Sequence, residues 1–131
     1  MNKFATLIGT DRPTTKHEEI FKLLFDIAVN HKFVPPDNVV RVQRDQIPLD
    51  SWTLVLKEPD NNNPKFLLAV TAPKIPSMSP LPVRQTIDCP LFSVIVMDTY
   101  FGIWRDGDFS ESVSTENVTK VFKSFLDTIN K

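Results

Sequence analysis

A single cysteine, Cys89, excludes any disulfide within the chain, and neither His17 nor His31 stands near it at a zinc-ligand spacing. With one Cys, the sequence points to a reducing compartment and a cytoplasmic setting. Glycine is almost as scarce, three in 131 residues, so there is no glycine-rich phosphate loop. No apolar run reaches the ~18 residues a membrane span needs, and the start of the sequence, with Asp11 and Arg12 soon after a few apolar residues, is too short for a secretory leader. The sequence therefore implies no membrane association. Charge of one sign is missing too: 15 basic against 16 acidic residues leave a net charge of -1, which provides little long-range attraction for nucleic acid or anionic lipid. Internal repeats and low-complexity tails are absent. Ser77 and Ser79 have no nucleophile-elbow context, and Cys89, followed by Pro90, reads as a core residue rather than a nucleophile.

What is present is a core. Apolar residues make up 41% of the chain, with ten Phe and two Trp, enough for a single domain over residues 1–131 to bury an interior without crosslinks.

The pattern along the chain predicts mixed α and β structure. Thr15-x-x-Glu18 has the form of a capping box, and Ile20, Leu23, Leu24, Ile27 and Ala28 follow helical spacing to about Asn30, with Phe21 and Phe25 widening the stripe. Pro35-Pro36-Asp37-Asn38 breaks the chain, and Val39 to Val42 reads as a short strand carried toward Ile47. Trp52 to Lys57 alternates with period two. The turn composition of Glu58 to Pro64 then predicts an antiparallel return through Phe66 to Val70. That return is apolar on both faces, as expected of an interior strand covered by helices. Five prolines between Pro73 and Pro90 predict a loop with one helical turn near 83–87. Ile75, Met78 and Leu81 form an apolar, proline-stiffened segment there, suited to contacting a partner or to closing over the sheet. Strands follow at Leu91 to Met97 and Tyr100 to Arg105, closed by an Asp106-Gly107 turn. A helix opens at Thr115 with Val118, Val121, Phe122, Phe125 and Ile129 on one stripe. The fold class is thus α+β: a central mixed sheet flanked by N- and C-terminal helices.

Several short motifs stand in a meaningful order. Pro48-Leu49-Asp50 opens one strand, Ala72-Pro73-Lys74 ends the next, Gln85 follows, and then come Cys89 to Val96 and Gly102-Ile103-Trp104. This order resembles the PD-(D/E)XK nuclease superfamily, and is most similar to the N-terminal nuclease core of type I restriction enzyme R subunits, over residues 16 to 107. The resemblance implies a restriction-endonuclease-like core. In that family an Asp and the acid of an acid-x-Lys motif hold a divalent cation while the Lys steadies the attacking water or the leaving charge. Carried over, Asp50, Lys74 and Gln85 become the catalytic set, and Glu19 and Asp50 the metal ligands.

The acid position, however, falls on Ala72. Magnesium binds through one or two carboxylates with water, and a methyl group cannot stand in for one. The resemblance with this departure implies a non-catalytic nuclease-fold domain that requires no cofactor and acts by binding a partner, a protein or a second copy, with DNA a further ligand. Two alternatives accompany it. One is an active Mg²⁺-dependent endonuclease whose second acid comes from Glu58, Asp60 or Asp88; the other is an unrelated small α+β interaction module. Each named residue also has an ordinary role open to it: Asp50 beginning a strand, Glu19 on a solvated helix face, Lys74 and Gln85 at the surface.

Overall fold

The structure, a computed structural model, describes residues 15–37, 49–73 and 87–130. Helix α1 spans Thr15–Asn30 and buries His17, Ile20, Phe21, Leu24 and Ala28, positions three and four apart that share one face. Five strands follow among the described residues: β1 (Leu49–Lys57), β2 (Pro64–Pro73), β3 (Leu91–Val96), β4 (Phe101–Arg105) and β5 (Asp108–Ser112). Helix α2, Thr115–Ile129, closes the order. Ser114 caps it, its hydroxyl accepting from the Asn117 amide at 3.1 Å, so the cap lies one residue before the predicted opening at Thr115.

The strands form one sheet in the order β1-β2-β3-β4-β5. Every pair is antiparallel except β2 and β3, which run parallel from Leu67↔Leu91 to Thr71↔Ile95. The connections account for this. A parallel pair needs a long crossover, and residues 74–90 provide one, whereas the other joins are short turns. In the β1–β2 turn the Asn61 carboxamide oxygen accepts from the Asn63 amide at 2.9 Å, the local bond that makes asparagine a turn former.

Alternation places Trp52, Leu54 and Leu56 with Phe66, Leu68, Val70, Phe92 and Val94 in the same buried cluster as both helices. Phe66 is central to it, edge-on to Phe33 at 5.1 Å and to Phe125 at 5.4 Å between ring centroids. The two helices touch each other and share this one face, rather than covering both faces of β2. On the other face Val55, Leu67, Ala69, Thr71, Ser93 and Ile95 are buried as well.

Direction follows from the ends. Near the start of α1, Lys16 Nζ lies 5.4 Å from the centre of the Phe101 ring, and beyond its end Val34 bridges to Lys57. Helix α2 starts just after Ser112 and ends where the Arg105 guanidinium donates to Thr128 Oγ1 at 3.0 Å. The helices therefore run parallel, with both N-termini at the sheet end that carries Asp50, Ala72, Val96 and Phe101.

Strand β5 is absent from the sequence reading, which ends the sheet at the Asp106-Gly107 turn. Both turn residues have positive φ, 52° and 99°, the geometry that joins a tight hairpin, and the chain turns directly back along β4. The predicted strand at 39–47, the helical turn before Ile87 and the apolar segment Ile75, Met78 and Leu81 lie outside the described residues. No helix among the described residues is long and apolar enough to cross a membrane.

Candidate functional site

Register decides what the predicted site contains. In the β1–β2 ladder Asp50 is the direct partner of Ala72. Directly opposed residues in an antiparallel pair have Cα atoms about 4.5–5.5 Å apart, so position 72 is where a second carboxylate would meet the first. Ala72 is 8% exposed and belongs to the core cluster. Lys74 and Gln85 lie outside the described residues. Glu19 is exposed on α1, at the same end of the sheet, while its neighbours Ile20 and Phe21 turn into the core.

The substitute acids are elsewhere. Glu58 is eight residues beyond Asp50 along β1 and its turn, about 26 Å at ~3.3 Å per residue. It is ion-paired there with Lys65 at 3.3 Å, and Asp60 lies exposed in the same turn. Asp88 precedes β3 by three residues, and the parallel register Leu67↔Leu91 puts it level with Pro64, again at the far end. A divalent cation needs each oxygen within about 2.0–2.6 Å, so none of the three can share one with Asp50. Besides Glu19, the fold brings Asp98 to Asp50's end, exposed in the turn between β3 and β4. It sits two strands over, about 10 Å of lateral spacing. Sequence reasoning passed over it because only the strand order reveals which turn shares an end with Asp50. Among the described residues, no group of three or more His, Cys, Asp or Glu is gathered closely enough to hold a metal ion.

The electrostatics of this end combine backbone dipoles with side-chain charges, among them Glu18 and Glu116 in the first helical turns. Each helix N-terminus carries about half a positive elementary charge, and both point here, together with the Lys16 ammonium. The opposite end holds an open cleft of about 750 Å³ lined by Lys65, Arg105, Asp106, Asp108, Phe125 and Thr128, among others. Its two cations are engaged, Lys65 by Glu58 and Arg105 by Thr128. Near this end Cys89 is poorly suited to nucleophilic chemistry. Burial, with a smaller contribution from the Asp88 carboxylate, pushes its thiol up to about 11.

Comparison of the chain with known protein families, curated proteins and solved structures gives no match.

Proposed function

We propose that the chain is a nuclease-like domain of the PD-(D/E)XK type that has lost metal-dependent cleavage and acts by binding a partner, a protein or a second copy of itself, with DNA a further ligand. The observation that carries this reading is the pairing of Asp50 with Ala72. It supports the family resemblance, because the two positions that would hold the metal are cross-strand neighbours. It also supports the loss of activity, because one of them is a buried methyl group. A cleaving enzyme rescued by Glu58, Asp60 or Asp88 is disfavoured by their distance along the sheet.

The test is to restore the acid. Purified protein is expected to leave supercoiled plasmid intact in Mg²⁺ or Mn²⁺, and Ala72→Glu to gain a Mn²⁺ site, measured by calorimetry, that the double variant with Asp50→Ala lacks. Circular dichroism establishes that both variants fold. Cleavage by the unmodified protein that disappears in Asp50→Ala would overturn the loss of activity. A folded Ala72→Glu that binds no Mn²⁺ would remove the nuclease-like reading.

A further inference from the structure

We propose that β5 is a docking edge for an extended, lysine- or arginine-bearing segment of a partner protein, which adds alongside it as a new strand. This names the surface and partner class for the binding role proposed above and rests on that role, although it involves neither Asp50 nor Ala72.

β5 ends the sheet, with β4 its one neighbour among the described residues. Asp108, Phe109, Ser110 and Glu111 are exposed in succession. The two-residue Asp106-Gly107 turn makes Arg105 and Asp108 a hydrogen-bonded pair, and such pairs alternate along an antiparallel ladder. Asp108, Ser110 and Ser112 therefore direct their backbone groups to β4. Phe109 and Glu111 direct their N–H and C=O outward, the arrangement an incoming strand completes.

Side chains give the edge its selectivity. Phe109 is 49% exposed, yet its ring is held against Trp104 at 4.9 Å between centroids. It also closes over Gly102, where an added Cβ would meet Phe109 Cε1 at 3.0 Å. The ring thus has a seat on the sheet and an outward side. Glu111 projects from the same sheet face two residues on, about 7 Å away. A lysine or arginine on an adjoining strand would reach both the ring and the carboxylate. Asp106 and Asp108 add two more negative charges, and among the described residues none of the three carboxylates is in an ion pair. A second copy offers the same Asp-Phe-Ser-Glu-Ser, which adds negative charge to a negative edge and supplies no cation to either carboxylate, and this opposes pairing. The acidic residues that keep β5 from joining itself are the ones that select a basic strand.

The test titrates isotope-labelled protein with two capped peptides, one alternating lysine with valine and one alternating glutamate with valine, followed by NMR and amide hydrogen exchange. The lysine peptide is expected to bind about tenfold or more tighter, and Glu111→Lys to reverse that preference. The amides of Phe109 and Glu111 should gain protection while that of Ser110, already bonded to β4, changes little. Equal binding of the two peptides, or shifts confined to another surface, would overturn the proposal. Protection of Phe109 and Glu111 that appears with protein concentration alone would overturn it in favour of a second copy. Cleavage of DNA by the unmodified protein bears only on Asp50 and Ala72, so the two readings fail separately.

Discussion

β2 and β5 belong to one sheet and differ in nearly everything else. β2 has β1 and β3 as neighbours and helices over one face, and every residue from Phe66 to Ala72 is buried. β5 has a single described neighbour, and its burial begins only at Ser112, where the chain turns under α2. Their sequences follow their positions: Phe-Leu-Leu-Ala-Val in one, Asp-Phe-Ser-Glu-Ser in the other. An interior strand is specified by what it buries. An edge strand is specified by the turn that launches it and the strand it lies against, and its side chains remain available for keeping other strands off or for choosing among them.

The largest expected effect lies in the phenylalanines. Phe66→Ala removes a ring packed among Phe33, Phe122 and Phe125 and should cost about 3–5 kcal/mol, whereas Phe109→Ala, at a half-exposed ring, should cost about 1 kcal/mol or less. Urea denaturation of both variants measures the difference. Similar losses would dissolve the contrast between interior and edge.

Thiol chemistry probes the same contrast more finely. Raising the Cys89 value from 9.0 to about 11 lowers its thiolate fraction near neutral pH about a hundredfold, and the greater nucleophilicity of a more basic thiolate returns about tenfold. Alkylation of Cys89 should therefore run about tenfold slower than that of a thiol placed on the exposed edge by Ser110→Cys in a Cys89→Ser background. The Cys89 rate should climb with pH until about 11. Because the folded-state value is the higher one, the folded chain holds this proton more tightly. The associated stability is complete below 9.0 and is lost as pH rises toward 11. Equal alkylation rates would show that the approach to β3 is as open as the edge.

The smallest effect concerns Thr71 in β2, whose hydroxyl oxygen is fully buried with no hydrogen-bond partner among the described residues. Thr71→Val keeps the shape, removes the unsatisfied group and should stabilise the protein by up to about 1 kcal/mol in the same urea assay. Destabilisation instead would mean that the interior strand carries a polar interaction through this hydroxyl.

Much of the site was readable in one dimension. Asp50 at the head of a strand and Ala72 near the end of the next are visible in the sequence, and the turn between them predicts a hairpin. Their direct opposition was not visible, since a slip of one residue in register would pair Asp50 with Thr71 or Pro73 instead. Nor was the remoteness of Glu58, Asp60 and Asp88, which are near Asp50 or Lys74 in sequence and a strand's length away in space.

Local pattern determined by itself the two helices and the strands β1 to β4, because helical and strand periodicities depend on neighbours a few residues apart. Composition likewise determined that β2 lies inside the sheet. Tertiary structure alone decided that both helices share one face with their N-termini together, that β2 and β3 run parallel, and that five weakly apolar residues after a glycine turn become a strand. Those outcomes depend on hydrogen bonds and packing between segments far apart in the chain, and no window of neighbouring residues contains them.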